Sequence, residues 1–482
     1  MSVLLHHSLV YSVARVIPGV INFAALAVFT RLLFPDQYGF FALAVATIGL
    51  ANVVFMQWLR LGILRYVSSY RDEHVMFRST VAAAFLCVVA ITGIGFWLLA
   101  TRWPVPKWRE YLVVGLLLLW SQAWFEINLE LVRSRLSPAL YGVLATAKAI
   151  IALGIGAVLV YLGFGAKGAL MGLFAGFVIP GMWITWREWR CVRLGEFNVG
   201  VMRQLLVYGL PLTATFALGF VVNTSDRFFI QWLAGAKETG LYAVGYDLAA
   251  NTLGMAMTVV NLAAYPLALR ALEQEGAHAA IAQVRRGATL LLLVAIPCCV
   301  ALVLLAPNIA WIVLDESYRD AAVRLLPPVV LATLLMGIKS FHCDLAFQFR
   351  QCTAMQIWPL LAAAAVNVAL NMLWIPRMGI LGAAYSTVAA YFVALALSWH
   401  LGRRVFPIPF PGEVHKILLA ALAMAFSIWP VRDLRGVTAL MVQSIVGGAT
   451  YASVLGLLNV GGGRDKVAAV VRGAIKARTQ AC

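Results

Sequence analysis

Along this chain, apolar runs of membrane-crossing length alternate with short polar breaks. The runs lie near residues 9–30, 39–59, 79–101, 111–131, 139–162, 168–186, 205–234, 240–267, 287–306, 321–347, 354–375, 379–400, 414–431 and 436–459. A bilayer span needs about 20 consecutive, mostly apolar residues, so each run predicts one crossing helix. The stretch LLVYGLPLTATFALGFVVNTSDRFFIQWL, residues 205–233, shows the pattern clearly: its only charges are the adjacent Asp226 and Arg227. The pattern predicts an all-α polytopic membrane protein of about 14 transmembrane helices.

Composition agrees. Apolar residues make up 62% of the chain, charged residues 12%, and the mean hydropathy is +0.88, whereas a soluble domain is about 45–50% apolar and about 25% charged. The formal net charge of +17 could point to nucleic acid, but its distribution argues otherwise. Even-numbered loops and the C-terminal tail carry 21 Lys and Arg, among them Arg60, Arg65, Arg71 and Arg78, and odd-numbered loops carry 10. That bias follows the positive-inside rule and places both termini in the cytoplasm. The opening MSVLLHHSLVYSVARVIPG has no charged start followed by a small-residue cleavage site, so the first span is expected to be retained.

Chemistry-bearing motifs are sparse. The outside loops are too short to house catalytic groups. GFGAKG at 163–168 matches a dinucleotide fingerprint but sits in a turn between two spans, without the strand that such a site requires. NVGGGRDK at 459–466 lacks the Gly-Lys-Ser/Thr ending of a phosphate loop. The seven cysteines show no zinc spacing. The expectation is no enzyme, no cofactor and no metal site. A transporter or structural bundle remains.

The two halves repeat. PDQYGFFALA at 35–44 parallels AKETGLYAVG at 236–245, aligning Gly39 with Gly240, and GFGAKGALMG at 163–172 parallels RMGILGAAYS at 377–386, aligning Gly168 with Gly382. Pro18 and Pro211 interrupt the opening helix of each half, and Arg31 and Arg227 follow near its far end. An even number of spans per half makes the repeats parallel. The expected organisation is an N-lobe over 1–200 and a C-lobe over 201–405, each of six helices, then a helix pair and short basic tail over 406–482.

The late DR of the seventh span, the GLYAVG that follows it, and NVALNMLWIPRMGILGAAYST at 367–387 resemble the polysaccharide transporter family. These are the Wzx-like flippases of the multidrug/oligosaccharidyl-lipid/polysaccharide exporter superfamily. The resemblance covers nearly the whole chain. It implies an inner-membrane protein that moves undecaprenyl-diphosphate-linked oligosaccharide from the cytoplasmic to the periplasmic leaflet for O-antigen, capsule or exopolysaccharide assembly. Polysaccharide polymerase and chain-length or export proteins would be its partners, and H⁺ or Na⁺ its coupling ion if it is coupled. A cation-coupled drug or toxin extruder, a lipid II flippase and a non-transporting scaffold for glycan enzymes are the alternatives.

Charges inside spans are costly and tend to mark pathways. The cations are Arg15, Lys148, Arg227 and Lys339, and the acids Glu126, Glu130, Asp226, Asp247 and Asp344. At about 1.5 Å per residue, Arg15 and Lys148 lie roughly 9 and 14 Å above the cytoplasmic ends of their spans, and Lys339 about 25 Å below an outer end. A diphosphate headgroup gives the four cations a shared task, with Arg227 near the outer side kept paired by Asp226 and Asp247 when empty. The acids would balance charge or couple an ion. Blander readings stand beside these. Arg15 and Lys148 can snorkel, Glu130 can be the wet end of a span beside Arg133, Arg227 can form a structural pair with Asp247, and Asn367 and Asn371 can join helices. Trp103, Trp108, Trp186 and Trp189 read as interfacial belts.

Overall fold

The structure is a computed structural model that describes residues 3–70, 72–102, 106–135, 137–190 and 192–460, without the side chains of 3–15, 99, 100, 102, 106–112 and 194. Among the described residues every regular element is helical. In order these are α1 (Val3–Leu32), α2 (Pro35–Tyr66), α3 (His74–Arg102), α4 (Pro106–Ser134), α5 (Pro138–Leu159), α6 (Gly165–Glu188), α7 (Val199–Leu233), α8 (Ala236–Ala249), α9 (Met255–Glu275), α10 (Ala277–Leu304), α11 (Ala306–Val313), α12 (Glu316–Ile338), α13 (Leu345–Phe349), α14 (Ile357–Met378), α15 (Ile380–Val405), α16 (Val414–Ile428) and α17 (Val437–Leu457).

All fourteen apolar runs fall on helices. The eighth is α8 and α9, continuous through a π turn at Ala250–Gly254, and the tenth is α12 and α13, continuous through a π turn at Lys339–Cys343. Eleven stretches among the described residues are long and apolar enough to cross a membrane, with α5 and α6 counted as one of them. The chain is a multi-span helical membrane protein. Prolines begin α2 and α5, where the missing N–H would have had no helical partner anyway. Asn198 caps α7 by accepting from the Val201 N–H at 3.1 Å, and Asp315 caps α12 by accepting from the Ser317 N–H at 3.1 Å.

The helices outrun the apolar runs at several ends, and one consequence corrects the sequence reading. α2 continues to Tyr66, so Arg60 belongs to a helix and not to the second loop. Trp189 is also not an interfacial anchor. It is buried and donates its indole N–H to Asn128 Oδ1 at 2.7 Å. Trp186 is exposed and lies under Arg190 at 3.7 Å from its ring centre, while Trp103 lies outside the described residues and Trp108 outside the described side chains.

By packing, the chain forms two units. Unit 1 is the chain up to Val244 with Ala354–Ala390, and unit 2 is Gly245–Thr353 with the chain from Tyr391 onward. Within unit 1, α7 lies along α2 and α14 lies along α7. One core, of residues such as Leu59, Ile63, Phe77, Ile127 and Leu205, joins α2, α3, α4 and α7, and another joins α2, α4, α5 and α6 through Leu118, Phe125, Leu144 and Phe177.

The repeat is visible inside unit 1. Gly39 and Gly240 pack directly on each other: a Cβ on Gly39 would collide with the Ala236 carbonyl, and one on Gly240 with the Pro35 carbonyl. The contact is reciprocal, each glycine meeting the start of the other's helix. The second aligned pair behaves alike. Gly165 and Gly379, three residues before Gly168 and Gly382, end one helix and open the next with φ/ψ of 54°/−138° and 59°/−139°. That positive-φ geometry is open to glycine at little cost.

Unit 2 pairs α9 with α10 and packs α16 on both α10 and α17. Buried polar bonds hold the final helix in place. Asn308 of α11 donates to Gln443 Oε1 at 2.9 Å and accepts from the Gly436 N–H at 2.8 Å, while Gln443 Nε2 donates to the Val431 carbonyl at 2.7 Å. Tyr451 donates its hydroxyl to the Leu293 carbonyl at 3.0 Å.

The glycine contact is testable. Gly39→Ala should cost about 1–3 kcal/mol from overpacking and lower the thermal midpoint in detergent. Gly219→Ala, with nothing within 4 Å of the added carbon, should leave it level or raise it through the better helix propensity of alanine. Equal midpoints for the two variants would refute the close approach.

Candidate functional site: a caged carboxylate and paired charges

Asp226 sits in the last third of α7 and is fully buried. Four side chains from three other helices donate to its carboxylate. Oδ1 accepts from Asn367 Nδ2 at 3.1 Å and Asn371 Nδ2 at 2.7 Å, and Oδ2 accepts from the Tyr242 hydroxyl at 2.5 Å and the Thr387 hydroxyl at 2.5 Å. Asn367 and Asn371 are four apart on α14 and so share one helix face. Asn371 also donates to Asn367 Oδ1 at 3.0 Å, an oxygen that accepts from Ser225 as well, at 2.7 Å. All six residues belong to unit 1. The asparagine pair does join helices, and it does so through the acid.

An ionised carboxylate taken out of water loses several kcal/mol of hydration, and charge-assisted hydrogen bonds are the strong kind that offset it. Among the described residues the partners of Asp226 are all neutral. This corrects the expectation that Asp226 keeps Arg227 paired. Adjacent helical residues point about 100° apart, so one faces the cage and the other does not. The Oδ1 atom of Asn371 is buried without a donor. The cage therefore offers carboxylate, amide carbonyl and hydroxyl oxygens, a ligand set suited to a hard cation. No group of three His, Cys, Asp or Glu that could hold a metal ion occurs among the described residues.

A second network lies between α2 and α4. The Arg60 guanidinium reaches Glu126 Oε2 at 2.7 Å and Glu130 Oε1 at 3.2 Å. Asn52 and Gln122 also donate to Glu126, at 2.7 and 3.0 Å. Glu126 and Glu130 were expected to balance cations of the span interior, and Arg60 is the one they bond. Arg133 stands 3.6 Å from Glu130, so the reading of Glu130 beside Arg133 holds in part. Lys148 rests its ammonium 4.8 Å from the centre of the Phe177 ring, a cation–π contact, in the field of Glu126.

In unit 2, Lys339 and Asp344 form a buried ion pair at 2.6 Å, with side chains only 4% and 6% exposed. Both belong to the π turn or its end, and π turns in helices occur often at functional sites. The pair corrects the assignment of Lys339 to a headgroup, because its charge is already neutralised by the acid one turn on. His342, on the same turn, is buried against the Phe410 ring at 4.8 Å, with neither ring nitrogen hydrogen-bonded among the described residues. The side chain of Arg15 lies outside those described, and Arg227 and Asp247 are both half-buried.

Sequence reasoning missed Arg60, Tyr242 and Thr387. Each lies far from its partner in the chain. The i, i+4 asparagine pair was the one available signal for the cage.

The described residues form a helical bundle of membrane-crossing length with ionisable groups inside its spans. Residues 28–324 match the profile of the family described as "Polysaccharide biosynthesis protein", and the chain belongs to that family. Among curated proteins no sequence match is found. The fold is shared with a structure titled "Lipid II flippase MurJ, inward closed conformation", at a TM-score of 0.77 and 13% identity over 95% of this chain and 100% of that one. It is shared also with an inward-facing multidrug resistance MATE family transporter of the MOP superfamily, at 0.61 and 14% over 82% and 97%. A MOP superfamily transporter from Pyrococcus furiosus aligns at 0.58 and 13% over 83% and 94%. The resemblance to polysaccharide transporters of this superfamily agrees with these findings.

Removing one partner of a buried charge network is costly because the other charge stays behind. Arg60→Ala should therefore destabilise the protein by about 3 kcal/mol, read as a lower unfolding midpoint. Adding Glu126→Gln and Glu130→Gln should recover most of the loss. A triple variant as unstable as the single would show that the network is not what holds α2 to α4.

Proposed function

We propose that the chain is a flippase that carries undecaprenyl-diphosphate-linked oligosaccharide from the cytoplasmic to the periplasmic leaflet of a bacterial inner membrane, by alternating access and with both termini cytoplasmic. Membership in a polysaccharide-biosynthesis family, on a fold that a lipid II flippase also uses, carries this reading. Arg227 and Lys148 remain the described cations suited to a diphosphate. Arg227 stays charged at any physiological pH, and a guanidinium can hold two phosphate oxygens at once. Arg15 is kept with them from the sequence alone. The product would pass to polysaccharide polymerase and chain-length or export proteins.

The Asp226 cage is proposed as the coupling site for H⁺ or Na⁺. Its support is the buried carboxylate among neutral donors and the Asn371 carbonyl oxygen that has no donor. The same observation favours a second reading, cation-coupled extrusion of a drug or toxin, and one experiment separates the two. Lipid mass spectrometry on a host lacking this chain should reveal an accumulated polyprenyl-diphosphate oligosaccharide that wild type clears and Arg227→Ala clears poorly. Absence of any lipid intermediate, with no sister transporter present, would favour extrusion, and build-up of a peptide-bearing lipid would indicate a lipid II flippase.

Coupling has its own readout. If the cage holds Na⁺, replacing choline by Na⁺ should raise the unfolding midpoint of the purified protein, by about 2.7 kcal/mol of stability at a hundred times the dissociation constant. Asp226→Asn should abolish the rise. A midpoint indifferent to Na⁺ in wild type leaves the proton as the coupling ion, tested by loss of clearance in Asp226→Asn.

A further inference from the structure

Three arginines converge on one carboxylate at the ends of α3, α4 and α6. Glu188 Oε2 accepts from Arg135 at 2.7 Å and Arg78 at 3.1 Å, and Arg187 stands 3.8 Å from Oε1. Arg78 donates to the Glu188 backbone carbonyl as well. Three guanidinium groups around one carboxylate leave a local excess of two positive charges. The sequence bias used Arg78 only as a topology marker.

Arg78, Arg135 and Glu188 of this cluster line a cavity of about 530 Å³, with His74, Ser68, Tyr70 and Ser134 completing its polar wall. Arg135 is nearly half exposed there, at 47%. Farther into the span, α4 and α6 form a second recess of about 360 Å³ whose lining is almost wholly apolar, including Trp124, Val178, Met182 and Trp186. α4 and α6 run in parallel, since Trp124 bonds Thr185 and Asn128 bonds Trp189 at the same offset along both helices. The apolar recess and the cationic cavity thus follow each other along one seam, beside Trp124 and Trp189, whose rings are tilted 43° to each other with centres 4.5 Å apart. The cationic cavity includes Arg78 of α3, whereas the apolar recess is lined by α4 and α6. Met182 and Trp186 are 68% and 67% exposed, so the apolar recess opens outward.

We propose that this seam binds an anionic phospholipid of the surrounding leaflet, its phosphate held by Arg135 and Arg78 and one acyl chain laid in the apolar recess. Charge complementarity selects the head, since guanidinium suits phosphate oxygens. An apolar slot one helix turn deeper in the span selects a tethered chain over a free anion. All the groups belong to unit 1, so the site is complete without the rest of the protein and independent of which lipid is transported.

Native mass spectrometry of the full-length chain in detergent tests this, titrated with phosphatidylglycerol, phosphatidylcholine, inorganic phosphate and a polyprenyl diphosphate. Phosphatidylglycerol should be retained about five-fold more than phosphatidylcholine, the effect of one charge near a membrane surface. Arg135→Gln should lower its retention by a similar factor with the thermal midpoint unchanged. Val178→Trp should fill the recess and lower phosphatidylglycerol retention too. Equal retention of the two phospholipids, or no effect of Arg135→Gln, overturns the proposal. Displacement by equimolar inorganic phosphate would make it a bare anion site, and displacement by equimolar polyprenyl diphosphate would assign it to the transported lipid. Either result also overturns it.

Discussion

Hydrocarbon solvates no polar group, and that constraint governs where every charge and amide of this chain ends up. Within a span, a buried donor or acceptor must find its partner in the protein. Asn308 and Gln443 answer each other across unit 2, Trp189 finds Asn128, and Lys339 closes on Asp344. Asp226 is the extreme case, a carboxylate that recruits α7, α8, α14 and α15 to one point. The cage therefore does two jobs. It solvates the acid, and it fixes the relative positions of four helices that apolar packing alone, with lipid equally apolar, would hold only weakly.

The polar partnerships sort by local charge balance. The Lys339–Asp344 pair is closed and neutral, a device for holding a π turn together. The Arg60 network sets Arg60 and Arg133 against Glu126 and Glu130, with Lys148 nearby. The Asp226 cage sets a buried carboxyl among neutral donors, with no opposite charge bonded to it among the described residues.

Much of the fold was legible because a bilayer demands long apolar runs, and length alone separates a span from a buried soluble helix. The aligned glycines were legible for a similar reason: close backbone approach leaves only one residue type. Partner choice was not legible. Asp226 and Arg227 touch in sequence, which suggested a pair, yet neighbours on a helix face different ways. Arg60 lay just beyond an apolar run and was assigned to water, because nothing local announces that Glu126 and Glu130 wait on another helix. Trp189 looked like its neighbour Trp186, and only the burial of Asn128 distinguishes their surroundings.

The reciprocal seat of Gly39 and Gly240 carries one more consequence. Equivalent residues of two parallel repeats meeting each other, each against the other's helix start, is the geometry of an isologous interface. Two separate copies of a half-length chain would make the same contact across a twofold axis. Fusing the copies turns an intermolecular seam into an intramolecular one, and frees each side to vary so long as the other still fits. This chain has glycine on both sides, so the seam has the self-complementary form of a homodimer contact within a single chain.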